Sequence, residues 1–192
     1  MRYTPEHKDE TRAKVLRAAA NAMRARGPDG VGVADIMKSV GLTHGGFYAH
    51  FRSKEDLVAQ AVTQMFADAA RRFSRITEGL APAEALATYI DRYISAAHRD
   101  DIARGCPLTA IAPDLARGQA ESRAAFDEGV RAIIQRLAAW LPGDDTAARA
   151  TALIAEMAGT VALSRAVGDP KLSDSILAAG RAAARAHAGL PA

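Results

Sequence analysis

The sequence predicts an all-α protein in which an N-terminal three-helix domain of the helix-turn-helix type precedes a larger helical domain. Hydrophobic residues make up 49% of the 192-residue chain, but aromatic residues only 5%. Because alanine dominates the apolar residues, we expect a core of helices packed through small side chains. Apolar positions recur at helical spacing along most of the chain, and glycine and proline separate the periodic segments. Strands are expected to be few or absent.

The first helix is predicted from Thr11 to Arg26. Its apolar positions lie on one side, and the Gly-Pro-Asp-Gly sequence of residues 27–30 ends it. Residues 1–10 are polar and charged, and we expect them to form a mobile arm. The apolar stripe of this helix comprises Val15, Leu16, Ala19, Ala22 and Met23.

The next two helices are short and are joined by a turn. The second is predicted over residues 33–40, and Gly41 ends it because glycine readily adopts the left-handed conformation of a sharp turn. Thr43 is then placed as the N-cap of the third helix. Phe47 and Phe51 are four residues apart, so they share one face and should anchor this helix to the first two. Two short helices joined by a glycine turn form a helix-turn-helix.

A long fourth helix follows, and it connects the two predicted domains. Ser53 is its N-cap, and Asp56 completes a pattern similar to a capping box. The helix is predicted over residues 53–75 and would link an N-terminal domain of residues 1–52 to a C-terminal domain of residues 53–192. Its apolar stripe comprises Leu57, Val58, Ala61, Val62, Met65, Ala69 and Phe73.

The rest of the chain is predicted to be helical, with no internal repeat and no low-complexity linker. A break at residues 79–82 ends the fourth helix. Helical patterns then cover approximately residues 83–99, 107–112, 114–141, 145–167 and 173–188, and the turn signals between them are Arg104-Gly105, Pro142-Gly143 and Gly168-Asp169-Pro170.

The positive charge of the chain is concentrated near its beginning. Residues 1–52 contain nine Lys or Arg and five Asp or Glu, a net charge of +4, whereas the whole chain carries +3. A basic N-terminal module on a nearly neutral body is typical of a DNA-binding domain attached to a sensor or oligomerisation domain. Ordinary solvated surface charge is the alternative, and the charge pattern alone does not decide between them.

Several classes of protein do not fit the sequence. There is no apolar run near the ~20 residues that span a bilayer and no secretory signal peptide, so we expect a cytoplasmic protein without a membrane partner. Cys106 is the only cysteine, which excludes an intrachain disulfide and a cysteine-based metal site. Motifs of phosphate-binding loops and zinc proteases are absent, and His98 near Asp100 and Asp101 is a weak cluster. We therefore expect no enzyme, no cofactor and no metal.

The third helix and the start of the fourth carry the candidate DNA contacts. Lys54 lies in the first turn of a helix, where a cation is unfavourable by a few tenths of a kcal/mol unless an anion such as a DNA phosphate is close. Gly45 and Gly46 each weaken a helix by about 1 kcal/mol, which is understandable if the backbone approaches DNA. His44 and Tyr48 could contact base edges. The alternatives are a solvated lysine, drift in a short helix and a solvated polar rim.

Residues 41–57, GLTHGGFYAHFRSKEDL, resemble the DNA-binding domain of the tetracycline-repressor (TetR) family of bacterial transcription regulators. The resemblance implies that Thr43, His50 and Lys54 contact phosphates, while His44, Gly45 and Tyr48 face base edges. The positions that match the family pattern in register are Gly41, Gly45, Tyr48, His50, Phe51, Lys54 and Leu57.

The chain departs from the family pattern at one position. Where the family usually has Thr or Ser at the start of the second helix, this chain has Gly32 and Val33. The hydroxyl that caps the helix and contacts a phosphate is therefore missing, although glycine is still a fair N-cap.

The resemblance also implies a ligand-responsive repressor that a small-molecule effector releases from a palindromic operator. An activator would share the fold, and the sequence does not separate the two. One helix-turn-helix makes few contacts, so a two-fold dimer with half-sites about 34 to 36 Å apart is expected. In the family the last two helices of each protomer form the dimer, and here their stripes are Ile154, Met157, Ala158 and Val161, followed by Leu177, Gly180 and Ala184. The alternative is that both stripes are buried within one subunit.

The effector pocket is the least determined site. Candidate residues combine apolar area with a polar tip, and ordinary core packing is the alternative for each. Cys106 precedes a predicted helix start and has Arg104 nearby, and both features lower a thiol pKa, so it is a hypothetical sensor of electrophiles or oxidants. A small buried hydrophobic residue is the competing interpretation. The candidates are Tyr89, Tyr93, His98, Cys106, Phe126, Trp140 and Met157.

Overall fold

The structure is a computed structural model that describes residues 5–191, and every regular element within this range is helical. The predicted all-α class is therefore confirmed. No helix in residues 5–191 has both the length and the apolar character that crossing a bilayer requires. The α-helices are α1 (Pro5–Arg26), α2 (Val33–Ser39), α3 (Lys54–Thr77), α4 (Pro82–Tyr93), α5 (Ala96–Asp100), α6 (Pro107–Ala110), α7 (Ala112–Leu115), α8 (Ala120–Ala138), α9 (Thr146–Ala166) and α10 (Pro170–His187), with 3-10 helices at His44–Ala49 and Ile102–Arg104.

Helix α1 starts earlier than the sequence pattern predicted. It begins at Pro5, so the prediction of an arm is wrong for residues 5–10, while residues 1–4 lie outside the described range. Glu, Lys and Arg are good helix formers, and a polar segment can extend a helix that is already anchored further along. The anchor includes Arg12, which donates to Gln60 on α3 and lies 5.4 Å from the centre of the Phe51 ring.

The helix-turn-helix forms as predicted, but its second helix is a 3-10 helix. Gly41 has a φ of +77°, and the Leu42 N–H donates to the carbonyl of Met37 at 2.9 Å. Gly45 and Gly46 disfavour a regular α-helix here, because each adds conformational freedom that the folded chain must lose. Thr43 occupies the N-cap position as predicted, although its side chain accepts no capping hydrogen bond.

The predicted N-cap of the long connecting helix is confirmed. The Asp56 N–H donates to Ser53 Oγ at 3.1 Å. The Asp56 carboxylate does not reach back to the Ser53 N–H of a standard capping box; it accepts from the Arg52 N–H at 3.0 Å. Helix α3 continues to Thr77, about half a turn beyond the predicted end.

Three predicted helical stretches of the body are interrupted. The stretch 83–99 breaks after α4, and Ser95 caps α5 by accepting from the His98 N–H at 3.2 Å. The stretch 107–112 ends early, at Ala110, and α7 (Ala112–Leu115) then spans the predicted boundary between 107–112 and 114–141. Pro113 lies in the first turn of α7, because proline suits a helix start and cannot donate within a helix. Residues 116–119 then separate α7 from α8.

Two glycines allow close packing between long helices. A Cβ at Gly129 on α8 would lie 2.2 Å from the Phe66 ring of α3. A Cβ at Gly180 on α10 would lie 2.3 Å from the Thr160 methyl group of α9. The buried apolar residues form two clusters, one centred on α1, α2 and the first half of α3, the other on α4 and α8 to α10. The domain division at residue 52 stays a prediction.

The stripes that were predicted to offer small residues to a second subunit are mostly buried inside this one. Ile154, Met157 and Val161 on α9 share a core cluster with Leu177 and Ala184 on α10. The close approach of the two helices at Gly180 accounts for this burial. The exposed side of α9 is the opposite one, and its residues are uncharged between positions 151 and 163: Thr151, Ala152, Ala155, Gly159, Ala162 and Leu163.

Candidate functional site

The first 3-10 helix presents an exposed surface built from small and aromatic residues. Thr43, His44 and Gly45 are exposed, and Tyr48 is 68% exposed, although large aromatic residues are usually covered. The His44 and Tyr48 rings are 6.3 Å apart in an edge-on arrangement. A Cβ at Gly45 would meet nothing within 4 Å, so a partner can approach the backbone closely at this position.

Buried aromatic residues hold this surface in place from behind. Phe47 and Phe51 are 1% and 2% exposed, and their rings stack with centres 5.4 Å apart. Gly46 faces inward, since a Cβ there would lie 3.7 Å from Met37 Cε. One short element therefore buries its anchoring side and leaves Tyr48 and His44 free on the other.

His50 and Lys54 lie at the end of this element and at the start of α3. His50 is half-buried, and its Nδ1 atom is buried without a hydrogen-bond partner among the described residues. Burial lowers the pKa of His50, and the charges of Lys8 and Arg12 lower it further. Lys54 is the first residue of α3 and has no hydrogen bond or ion pair in the described part of the chain. The phosphate contacts of Thr43, His50 and Lys54 stay predictions.

The basic residues of the N-terminal segment divide into two groups. Arg12 is half-buried and engaged with Phe51 and Gln60, whereas Arg24 is only 2% exposed and is not available to a polyanion. Gly32 is the N-cap of α2, so the hydroxyl that the family usually has at this helix start is missing, as the sequence indicated. The basic side chains that remain exposed are those of Lys8, Lys14, Arg17, Arg26, Lys38 and Arg52.

A cavity of about 690 Å³ opens between α3, α4 and the segment 95–106. Of the predicted pocket residues, His98 and Cys106 line it. Cys106 and Tyr89 also line a second void of about 40 Å³, and Phe73 borders both. Tyr93, Phe126, Trp140 and Met157 line neither of these two spaces. The cavity wall is made by Arg72, Phe73, Ile76, Asp91, Arg92, Ser95, Ala97, His98, Asp101, Arg104 and Cys106.

An aromatic cluster lies behind this cavity. The ring of Phe73 is 4.2 Å from that of Tyr89, which in turn lies 5.9 Å from Trp140. The Tyr93 ring is 4.7 Å from that of His98. Burial raises the pKa of both Tyr89 and Tyr93, so both hydroxyls are neutral.

His98 is held as a neutral side chain that fixes the cavity wall. Its Nδ1 lies 2.7 Å from the carbonyl oxygen of Tyr93 and donates to it, and its Nε2 accepts from the Cys106 N–H at 2.9 Å. Burial is the main cause that lowers the pKa of His98 to about 4. Both ring nitrogens are occupied, so the role of His98 is to join α4 to the segment that precedes α6.

Cys106 does not have the environment that its sequence neighbours suggested. The side chain is buried, and burial raises the pKa of the thiol. Arg104 is exposed and forms an ion pair with Asp101 at 2.8 Å. The predicted lowering of the thiol pKa is therefore wrong, because loss of hydration outweighs the positive charges nearby.

One arginine of the cavity wall is not among the predicted pocket residues. Arg72 is half-buried in the wall and has no hydrogen bond or ion pair with any described residue. Its position contains a usable signal, because it lies three residues after Ala69, next to Phe73 and four residues before Ile76, at the edge of the apolar stripe of α3. A charge at the edge of a buried stripe is a candidate ligand contact.

No metal site is found in residues 5–191. The described His, Cys, Asp and Glu side chains form no group of three or more that could hold a metal ion.

Two family models match the chain. Residues 15–61 match the family described as bacterial regulatory proteins, tetR family. Residues 82–181 match the family described as transcriptional regulator LmrA/YxaF-like, C-terminal domain. The second match alone covers more than half of the chain.

Individual relatives are similar over shorter stretches. An HTH-type transcriptional regulator of Bacillus subtilis, YdgC, is 37% identical over 71 residues, which are 37% of this chain and 34% of that protein. TtgR of Pseudomonas putida is 41% identical over 58 residues, 30% of this chain and 28% of the relative. The chain thus spans about a third of the length of these curated relatives. The Escherichia coli repressor NemR is 26% identical over 133 residues, 67% of this chain and 65% of NemR.

Solved structures match over nearly the whole fold. The reduced form of Escherichia coli NemR has a TM-score of 0.79 at 19% identity and covers 92% of this chain and 96% of its own. A TetR transcriptional regulator from Chloroflexus aurantiacus has a TM-score of 0.78 at 24% identity, with 92% and 95% coverage. At these identities the likeness concerns the fold alone.

Proposed function

The chain belongs to the TetR family of bacterial transcriptional regulators, and we propose that it is a cytoplasmic repressor that a small-molecule effector releases from a palindromic DNA operator. The role is regulatory and not enzymatic. The single observation that supports DNA binding best is the exposed Tyr48 on a short helix whose other side is anchored by buried Phe47. An exposed aromatic residue beside an open glycine backbone suits contact with base edges and phosphates in a groove.

Lys54 supports the same surface through electrostatics. At the start of α3 its charge and the helix's own N-terminal N–H groups both favour an anion, while no described residue supplies one as an ion pair. A phosphate at this position would be held by both. The contact would position the protein on DNA without specifying sequence.

The DNA experiment starts from a pool of random duplexes, because the operator is unknown. Selection on the purified protein should enrich a palindrome, and fluorescence anisotropy then gives affinities over a series of salt concentrations. We expect Tyr48→Ala and Lys54→Ala to weaken binding by about tenfold or more, and Lys54→Ala to reduce the salt slope by about 1.

Lys171→Ala is the matched control for the lysine. Lys171 also lies in the first turn of a helix, but on α10, where its N–H donates to Asp169. Its loss should leave DNA affinity unchanged within about twofold. If no duplex is enriched, DNA binding itself is contradicted. If Tyr48→Ala and Lys54→Ala both bind like the unaltered protein, the DNA-binding surface is elsewhere.

The exposed side of α9 supports a homodimer formed by the last two helices. Helix α9 carries Ala155, Gly159, Ala162 and the 55%-exposed Leu163 on this side. Helix α10, which packs on α9, also has exposed alanines. Apolar residues that share one exposed side of a helix favour an interaction surface over a solvated face. A two-fold axis through it would bring two identical surfaces together and pair the two DNA-binding heads.

Sedimentation velocity tests the dimer directly. Ala162→Glu should shift the protein toward monomer, because it would place like charges on both sides of a two-fold interface. Ala124→Glu is the control, since Ala124 is an exposed alanine of α8 and should leave the assembly unchanged. A protein that stays dimeric with Ala162→Glu would require another interface.

A further inference from the structure

We propose that the effector of this regulator is an organic anion, an acid with an apolar body, whose charged group binds Arg72 while its body packs on Phe73 and Ile76. The inference deepens the proposed function, since it names the chemical class of the ligand for the cavity of about 690 Å³. It is carried by the balance of charges in the cavity wall, the apolar residues beside Arg72 and the size of the space.

The charges of the wall leave an excess of positive side chains. Both acids are already paired: Asp91 accepts from Arg185 at 2.8 Å, and Asp101 accepts from Arg104 at 2.8 Å. Arg72 and Arg92 have no side-chain hydrogen bond or ion pair with any described residue. Unpaired arginines facing a cleft favour a carboxylate, sulfonate or phosphate, to which the guanidinium can donate two parallel hydrogen bonds.

Arg72 differs from Arg92 because it is partly removed from water. It is half-buried, whereas Arg92 is exposed, and burial lowers the pKa of Arg72, with the carboxylate of Asp68 opposing this effect. The guanidinium thus loses part of its hydration without gaining a hydrogen bond from the protein. A bound anion would supply that hydrogen bond in a poorly screened position, where a charged contact is worth more than at the surface.

The apolar part of the ligand has its own surface. Phe73 is half-buried in the wall, one residue after Arg72, and Ile76 is 39% exposed at the next turn of α3. His98 is neutral, and its ring nitrogens are occupied within the protein, so it adds a flat face and no charge. The volume falls within the range of about 300 to 1,000 Å³ that is usual for small-molecule sites.

A pair of fluorescent probes separates the anion from the apolar body. 8-Anilinonaphthalene-1-sulfonate carries a negative group, whereas N-phenyl-1-naphthylamine has the same ring system without it. We expect the sulfonate to bind the full chain at one saturable site per subunit, at least about tenfold more tightly than the neutral probe. 1-Naphthoate should displace it. 1-Naphthamide should not, because it lacks the anionic group, and inorganic phosphate should not, because it lacks the apolar body.

Substitution of Arg72 identifies the site. Arg72→Gln should weaken sulfonate binding by about tenfold and leave binding of the neutral probe within about twofold, whereas Arg72→Lys should keep the preference for the anion. Because Arg72 makes no internal hydrogen bond, its loss should not unfold the protein. Arg75→Gln is the control, since Arg75 is exposed on the same helix and does not line the cavity.

The outcomes also separate this inference from the proposed function. Equal binding of both probes, no saturable binding, or an Arg72→Gln protein that binds the sulfonate unchanged would overturn the anion site, even if the selected operator is bound normally. Arg72-dependent sulfonate binding to a protein that selects no duplex would support the anion site and count against the proposed repressor.

Discussion

Arg24 on α1 donates from Nη1 to the carbonyl oxygen of Ala103 at 3.2 Å, and this contact joins the N-terminal segment to the wall of the cavity. Ala103 lies between Asp101 and Arg104, which both line that cavity. Arg24 Nη2 also donates to the carbonyl oxygen of Met65 on α3 at 3.3 Å. A displacement of residues 101–104 would therefore be felt directly by the helix that supports the DNA-binding surface.

The same arginine is also linked to the proposed anion site through space. Burial lowers the pKa of Arg24, and the positive charge of Arg72 lowers it further. The two guanidinium groups therefore repel each other, and Asp68, which pairs with Arg24 at 3.8 Å, offsets this repulsion for both. We expect an anion bound at Arg72 to change this balance of charge beside α1.

We expect Arg24→Gln to reduce the free energy of unfolding by about 2 to 4 kcal/mol. The substitution removes the hydrogen bonds that the buried Arg24 side chain donates to the carbonyls of Ala103 and Met65, together with its ion pair with Asp68, and unpaired polar groups in such a position are costly. Urea denaturation followed by circular dichroism measures the change. Arg17→Gln removes the same charge from an exposed site on α1 and should stay within about 0.5 kcal/mol; equal losses in both variants would contradict the role of Arg24.

Close packing of α3 on α8 predicts a large effect from a small substitution. A methyl group at Gly129 would overlap the Phe66 ring, whose nearest atom lies 2.2 Å from the Cβ position. Although alanine is the better helix former, overpacking should dominate and destabilise Gly129→Ala by about 1 to 3 kcal/mol. Thermal denaturation provides the measurement.

Gly168→Ala is the control for this prediction. Gly168 has no atom within 4 Å of its Cβ position and no positive φ, so the same substitution should be nearly neutral. If Gly129→Ala is as stable as the unaltered protein, the two helices do not approach as closely as the structure places them.

Local sequence signals were sufficient for the elements that depend on a few neighbouring residues. The left-handed turn at Gly41, the cap at Ser53 and the aromatic anchor at Phe47 each follow from the chemistry of one or two side chains, and the structure contains all three. The start of α1 shows that polarity alone does not indicate mobility. Contacts of Arg12 with α3 extend that helix, and they join residues far apart in the sequence.

The cavity could not be predicted because its wall combines distant segments. Arg72, Asp91 and Arg104 come from three different elements, and no sequence spacing brings them together. The predicted pocket residues share a side-chain chemistry, apolar area with a polar tip, that occurs in core aromatics as readily as in cavity walls. The predicted stripe of α10 likewise packs against α9 within the subunit. The sequence pattern predicts that Leu177 is buried, but it does not identify the helix that covers it.

Because His98 is neutral in the folded protein, the free energy of unfolding should depend on pH. Burial lowers the pKa of His98 to about 4 in the folded protein, below its ordinary value of about 6.5 in an unfolded chain. The unfolded state therefore takes up more protons, and the stabilisation is complete above about pH 6.5 and is lost progressively as the pH falls toward about 4. The loss over this window should be on the order of 3 kcal/mol.

Substitution separates the contribution of His98 from that of other groups. Urea denaturation at several pH values should show a shallower acid dependence for His98→Gln than for the unaltered protein, together with lower stability near neutral pH, because hydrogen bonds to Tyr93 and Cys106 are lost. His44→Gln, at an exposed position, should keep the full slope. An unchanged slope with His98→Gln would assign the acid dependence to other residues.

Because Cys106 is buried, we expect its thiol to react slowly, and this expectation tests its hypothetical role as a sensor. The side chain is 2% exposed, and burial raises the pKa of the thiol, so both access and the thiolate fraction are reduced. Reaction with a disulfide reagent near neutral pH should be at least about tenfold slower in the folded protein than in denaturing urea. Because the chain has only this cysteine, the absorbance change reports one site.

Two variants test the cause of the slow reaction. Arg104→Gln should not alter the rate, since Arg104 pairs with Asp101. Phe73→Ala, which opens the wall shared by both cavities, should accelerate it. A fast reaction in the unaltered folded protein would show that Cys106 is accessible and would restore the sensor hypothesis.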